Sequence, residues 1–265
     1  MNGAAEPQPP ARCLLRPEVV ARVRLMTYNV RACSVGSCGG AVDRVAAAIG
    51  AAEPDVVALQ EVEAGVARSG LRDQTQELAD RLGWQSHFQP AMKGNGGGAF
   101  GNALLSRLPV RLVASGLLPQ LLVGVVREPR GVSWHAVEID GRELQVLVTH
   151  LGLARRERLA QIEALLGPLW MGDPRCATPH LLCGDLNCRP GSPEHRRLET
   201  TLVDASLVSP PSGGSATFPA LRPLVRLDHV LVSPDVRVLR TAVPRSRDLR
   251  RASDHLPLIV DLELG

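Results

Sequence analysis

Apolar residues recur along this chain in short runs, each broken by a polar residue, a glycine or a proline. Val23 to Val30 alternates and predicts a strand ending at Asn29. The alanine-rich stretch Val42 to Gly50 predicts a helix with Gly50 as its stop. Asp55 to Gln60, behind Pro54, reads as a short buried strand with Glu61 just past it. Gln74 to Leu82 is helical in pattern. A glycine-rich loop, Gly94 to Gly98, leads to a strand through Ala103 to Ser106. Val110 to Ser115 and Gly131 to Asp140 continue the strand pattern, and Asp140-Gly141 is a hairpin turn into Glu143 to Thr149. Ala154 to Leu166 predicts an amphipathic helix with Leu159, Ile162, Leu165 and Leu166 on one side. The run Leu181-Leu182 predicts a strand closing on Cys183-Gly184-Asp185-Leu186-Asn187. A loop, a short helix near Glu194 to Glu199 and two final strands, His229 to Ser233 and Leu256 to Leu262, complete the pattern.

Strands interspersed with a few helices, and no internal period, fit an α/β fold of two packed sheets flanked by helices. Pro210 to Ser215 reads as a loop within a single domain spanning 21–265. Residues 1–20 read as a flexible lead-in.

Composition narrows the class. With 265 residues, 45% hydrophobic and 22% charged, the chain is an ordinary globular protein with room for a large core. No apolar run approaches the length of a bilayer span. Met1 to Pro10 lacks the basic start and apolar centre of a secretory signal, so a cytoplasmic protein, monomeric, is expected. Six cysteines without CxxC spacing argue against structural zinc. Free thiols are expected, with a Cys33–Cys38 bridge as the alternative in an oxidising compartment. A net charge of +3, with Lys93 the only lysine, is too mild to argue for nucleic acid by itself.

The chemistry sits where the apolar runs end. Asn29, Glu61, Asn102, His150, Asp185 with Asn187, Asp228 with His229, and Asp254 with His255 all fall at such ends. Alternation directs Asp185 and Asn187 the same way. Singly each residue has an ordinary explanation: Glu61 as an exposed loop carboxylate, His150 as a hydrogen-bonded core histidine, Asp254 as a residue before a strand. Their recurrence in one chain points to a shared site. An anionic phosphodiester repels hydroxide, so its hydrolysis calls for a hard divalent cation on the phosphoryl oxygens. Carboxylate and amide oxygens suit Mg2+ or Mn2+. A histidine oriented by a carboxylate can donate to the developing charge, and Asp228 is the natural partner of His255.

The stretches Met26-Thr27-Tyr28-Asn29-Val30, Val57-Ala58-Leu59-Gln60-Glu61-Val62, Gly101-Asn102-Ala103-Leu104-Leu105-Ser106, Val148-Thr149-His150-Leu151, Gly184-Asp185-Leu186-Asn187, Leu227-Asp228-His229-Val230 and Ser253-Asp254-His255-Leu256-Pro257 resemble, in order, the motifs of the endonuclease/exonuclease/phosphatase superfamily. The resemblance covers about Val23 to Leu262. It implies a four-layered α/β sandwich, two packed mixed β-sheets flanked by helices, and a Mg2+- or Mn2+-dependent hydrolase. By motif it makes Glu61 the principal metal ligand, with Asn29 and Asp254 beside it. Asp185 and Asn187 become the pair that handles water and phosphate, Asp228 and His255 the Asp–His pair, and His150 the second phosphate-facing histidine. Asn102, with Arg127 or Arg130, would face the substrate phosphate.

Substrate choice is less legible. The tyrosine that nucleases of this superfamily place on the phosphate has no counterpart between Glu61 and His150, and aromatics make up only 3% of the chain. An abasic-site endonuclease is therefore disfavoured. The Trp-Cys-Asp-Arg run of inositol phosphatases is replaced by Arg226-Leu227-Asp228-His229. The expected activity is a phosphodiesterase of nuclease type, acting on nucleic acid or another phosphodiester. The alternatives are a sphingomyelinase-type enzyme acting on phospholipid headgroups and an inactive binding protein of the same fold. Leu117 to Val123 could touch lipid, although a core strand is the expected reading.

Overall fold

The central strands are buried on both faces, which forces helices onto the outer sides of both sheets. The computed structural model describes residues 20–34, 40–94, 97–121, 128–177 and 179–265. In chain order these form β1 (Ala21–Asn29), α1 (Ala41–Ala52), β2 (Val56–Ala64), α2 (Gln74–Leu82), β3 (Gln85–Lys93), β4 (Ala99–Ser106), β5 (Val110–Leu117), β6 (Gly131–Ile139), β7 (Arg142–His150), α3 (Arg155–Leu166), β8 (His180–Asp185), α4 (Pro193–Leu198), β9 (Val203–Asp204), α5 (Ala205–Val208), β10 (Asp228–Val232), β11 (Val236–Ala242), α6 (Leu249–Ala252) and β12 (Leu258–Leu264).

Two six-stranded sheets result, ordered β11-β12-β1-β2-β4-β3 and β5-β6-β7-β8-β10-β9. Each is mixed: β1 with β2 and β7 with β8 are parallel, and the other pairs are antiparallel. Leu25, Ala58, Val146, Val148, Cys183 and Val230 belong to the core between the sheets. Met26, Tyr28, Val57 and Leu59 pack instead with Val45, Ile49 and Leu78 of α1 and α2. On the far side Leu147, Leu182 and Leu231 pack with Ile162 and Leu165 of α3. The result is a four-layered sandwich, the fold class that the motif resemblance implies.

Several elements differ from the sequence expectation. Helix α1 passes Gly50 and ends at Ala52, capped by Glu53 in the left-handed conformation. Strand β2 does not stop at Gln60: a register shift between Leu59 and Val62 lets it bulge and continue to Ala64, with Glu61 inside it at φ 58°. Strands β3 and β11 were not expected. Both lie at the edges of their sheet, where half-exposed residues dilute the alternation. The last strand starts at Leu258, after Pro257. On α3 the buried residues include Glu157 and Gln161, while Leu159 and Leu166 are only half-buried. The core strand expected over Leu117 to Val123 is not formed at its start: Leu117 closes edge strand β5 and is 61% exposed. Residues 122–127 lie outside the described residues. Cys33 is a free, buried thiol, pushed up to about 12 by burial, and Cys38 lies outside the described residues. Among the described residues no helix is long and apolar enough to cross a membrane.

Candidate active site

The parallel pairs β1/β2 and β7/β8 sit at the centre of their sheets, and their carboxyl ends open at the same end of the sandwich. Such ends are where α/β sheets place ligands. Register sets the side chains out: His150 lies beside Asp185 across β7/β8, and Asp185 beside Asp228 across β8/β10. Gly184 is required by this packing. A Cβ there would come within 1.8 Å of the Thr149 carbonyl, and its φ of +143° is open mainly to glycine.

Asp185 is the hub. Its Oδ2 accepts from Asn29 Nδ2 at 3.0 Å, which joins the two sheets. The same oxygen lies 3.5 Å from His150 Nε2 and 3.7 Å from His255 Nε2. Its Oδ1 accepts from the Asn187 backbone N–H at 3.0 Å. Burial, and after it the Asp228 charge, push the Asp185 carboxyl well above the usual carboxylate range, against the pull of His255, Asn187 and Asn29.

The two histidines are held in opposite states. His255 Nδ1 donates to Asp228 Oδ2 at 2.9 Å. Burial acts to lower its pKa, but Asp228, Asp185 and Asp254 outweigh it and raise it to about 9, so the ring is an imidazolium at neutral pH. Phe218 lies against this ring at 4.8 Å between centroids. His150 is held well below its ordinary value by burial, with Arg130 and His255 adding to the effect. Arg130 Nη1 lies 3.1 Å from His150 Nδ1 and the Asn187 amide nitrogen flanks the other ring nitrogen; both neighbours are donors, so the neutral ring accepts from one of them. Asn187, at φ 49°, donates through Nδ2 to the Leu151 carbonyl at 2.9 Å and sits 3.0 Å from His150 Nε2.

On the other sheet, Glu61 accepts from Asn29 Nδ2 at 2.9 Å. Asn29 Oδ1 accepts from the Arg31 backbone N–H at 3.0 Å. Asn29 therefore presents its amide hydrogens to Glu61 and Asp185, which makes it a brace between two acids where an oxygen ligand was expected. Asp254, partly exposed, pairs with Arg31 at 3.1 Å. Ser253 Oγ donates to the Asn29 carbonyl at 2.7 Å and accepts from the His255 N–H at 3.2 Å, tying this segment to β1.

One expected phosphate contact is placed elsewhere. Asn102 is buried and donates to the Gly131 carbonyl at 3.1 Å, bracing β4 against β6 without reaching the cleft. Arg127 lies outside the described residues, whereas Arg130 lines the cleft.

All these surfaces frame one cleft of about 1000 Å³, lined by Glu61, His150, Asp185, Asn187, Asp254 and His255 among others. The sequence from 26–255 matches the endonuclease/exonuclease/phosphatase family. The chain belongs to that family. Members of the endonuclease/exonuclease/phosphatase family are hydrolases of phosphoester bonds that generally use a divalent metal. One relative is the uncharacterized protein YbhP of Escherichia coli, 30% identical over 169 residues, covering 63% of this chain and 64% of the relative. The chain thus matches a little under two thirds of that relative's length. Among solved structures, a family protein from Beutenbergia cavernae superposes with a TM-score of 0.72 at 24% identity, over 92% of this chain and 72% of that one. The catalytic domain of human nocturnin, solved with a bound sulfate, gives 0.69 at 24% identity over 91% and 93%. At this identity these likenesses concern the fold.

The donor set fits a hard cation. Glu61, Glu63, Glu128, Asp185 and Asp254 line the cleft, against Arg31, Arg68, Arg72 and Arg130. Asp228 Oδ1 is buried without a partner, and the Asp185 carboxyl is held above its normal range by burial first and by the Asp228 charge second. Asp185, Asp228 and His255 also cluster within 4.8 Å of one another, but there the imidazolium of His255 is a donor to the acids, so that trio is not the cation site.

Arg31 and Phe218 are cleft residues that sequence reasoning missed. Arg31, Ala32 and Cys33 all have positive φ (47°, 53° and 48°), a turn costing roughly 1–3 kcal/mol per residue. It carries the Arg31 guanidinium back onto Asp254. No propensity announces three such residues in a row; proximity to Asn29 was the available signal.

Proposed function

We propose that this chain is a phosphodiesterase dependent on Mg2+ or Mn2+, of the nuclease type within its family. The observation that carries the reading is the convergence on Asp185 Oδ2 of Asn29, a neutral histidine and a charged one. Glu61 and Asp254 would hold the cation, which when bound neutralises the phosphoryl oxygens and polarises the P–O bond.

The chain's own groups supply the rest. Asp185, with its pKa raised toward neutrality, takes the proton of the attacking water. Asn29 keeps Asp185 and Glu61 in register. His255, protonated and oriented by Asp228, donates from Nε2 to the developing negative charge. His150, neutral and with Arg130 behind it, lies against a second phosphoryl oxygen, and Asn187 contacts the same phosphate. An acid and a base set apart by their surroundings within one cleft is the arrangement that hydrolysis near neutral pH requires. The cleft volume leaves room for substituents on both sides of a phosphate, which favours a diester.

The test is a screen of purified protein with Mg2+ against bis-p-nitrophenyl phosphate, plasmid DNA, RNA, sphingomyelin and inositol phosphates. Turnover of a diester supports the proposal. Turnover confined to monoesters, or none in the presence of Mg2+ or Mn2+, overturns it.

A further inference from the structure

Strand β10 has two polar residues side by side that face opposite ways. Asp228 is buried beneath the cleft and serves His255. His229 faces the other side of its sheet and is wholly buried. Its Nε2 lies 3.0 Å from the Cys188 carbonyl. A carbonyl only accepts, so Nε2 carries the proton and donates.

Cys188 directly follows Asn187, whose φ of 49° lies in the left-handed region that asparagine tolerates but does not prefer. The bends at Leu186 and Asn187 are held from the cleft side by Leu186 N–H to the Leu227 carbonyl at 2.9 Å and by Asn187 N–H to Asp185 Oδ1. At the Cys188 end the carbonyl is held by His229 and the thiol by Ser192.

His229 in turn is seated against a buried charged cluster. Arg226 donates to both oxygens of Asp204, at 2.8 and 2.6 Å. His195 Nε2 lies 2.6 Å from Asp204 Oδ2, and the Ser206 N–H donates to Oδ1 at 2.9 Å. His229 Nδ1 stands 3.6 Å from Asp204 Oδ2, beyond hydrogen-bonding range. His195, Asp204 and His229 are close enough to suggest a metal site. Arg226 argues against it, because a guanidinium already engages both carboxylate oxygens and would repel a cation. The cluster works as an anchor. Arg226 stands two residues before Asp228, so the same ion pair fixes the start of β10 and the seat of His229.

The geometry points to His229 as a positioning residue for the active site: through the Cys188 carbonyl it holds the left-handed Asn187 turn, and so aims the Asn187 amide at His150 and the substrate phosphate. This rests on the phosphodiesterase reading for its catalytic consequence, but its structural half stands alone.

The experiment compares wild type with His229→Gln, whose Nε2 can still donate, and His229→Leu, which cannot. In EDTA and without substrate, ¹⁵N NMR of wild type should find His229 in the Nε2–H tautomer; the Nδ1–H tautomer would overturn the proposal whatever the variants do. The Asn187 side-chain amide resonance should move in His229→Leu and stay near its wild-type position in His229→Gln. On bis-p-nitrophenyl phosphate with Mg2+, His229→Leu should lose 10- to 100-fold in kcat with KM within about twofold, the scale of a misplaced group. His229→Gln should recover most of that loss. A purely structural residue would lower thermal stability without moving the Asn187 resonance or kcat, and that result sinks the proposal. Should His229→Leu not fold, His229→Asn, too short to reach Cys188, takes its place. If wild type turns over no substrate, the function reading fails while both NMR arms still decide the role of His229.

Discussion

The charge on His255 offers a sharp test of the site's electrostatics, because it can be measured without a substrate. The ring is buried, and burial alone would push its pKa below 6.5. Asp228 first, then Asp185 and Asp254, raise it to about 9. The gap between 6.5 and about 9 corresponds to about 3 kcal/mol in favour of the protonated ring in the folded state. A raised pKa contributes stability that is fully present below 6.5 and is lost as pH rises through about 9. The perturbation is Asp228→Asn, which keeps an acceptor for His255 Nδ1 and removes the charge. The imidazole C2–H resonance, assigned by its absence in His255→Gln and followed in EDTA, should titrate near 9 in wild type and fall toward or below 6.5 in the variant. Urea unfolding should then place wild type above Asp228→Asn by a margin about 3 kcal/mol larger at pH 6 than at pH 10. A wild-type midpoint near 6.5, or a margin that does not vary with pH, would refute the reasoning.

Other outcomes follow from the same geometry. Asp185→Ala should remain folded and lose at least about a hundredfold in hydrolysis of bis-p-nitrophenyl phosphate, the scale of a proton-transfer group; wild-type turnover would remove Asp185 from the mechanism. Asp204→Asn leaves Arg226 buried without its counter-charge and should cost about 3–5 kcal/mol in urea unfolding at pH 7. Because His195, His229 and Arg226 hold the Asp204 carboxyl far below its ordinary range against the effect of burial, that difference should persist above about pH 4 and shrink as pH falls through the carboxylate range. Equal stability of the two proteins at pH 7 would contradict it. Gly184→Ala should lose more than about 3 kcal/mol, or fail to fold, since its Cβ meets the Thr149 carbonyl; an unchanged melting temperature would show that β7 and β8 can part there.

What could be read from the sequence was what burial writes into it. Central strands such as β1, β7 and β8 are apolar on both faces, and the polar residue that ends each run marks the carboxyl end of a strand, so Asn29, His150 and Asp185 could be grouped before any coordinates. The edge strands β3 and β11 carry no such signal. Neither does a bulge: the strand period breaks at Glu61 because the chain gains a residue there, and the break looks like a strand end. Asn102 shows the limit of motif order as a guide to position, since it lies within β4 ahead of the run Ala103–Leu105 and its short side chain is spent on Gly131. Arg31 depends on a left-handed turn, and the Arg226–Asp204–His229 anchor on pairings between distant segments. Patterns local in sequence record neither.

The central claim is that a divalent cation held at Glu61 and Asp254 makes this cleft a hydrolase. Its most direct test is hydrolysis of bis-p-nitrophenyl phosphate by wild type and Glu61→Gln after exhaustive EDTA treatment, followed by graded return of Mg2+ or Mn2+. Activity should vanish on chelation, return in wild type with added cation, and require a markedly higher cation concentration in Glu61→Gln. Full activity in the chelated wild-type enzyme would contradict the account.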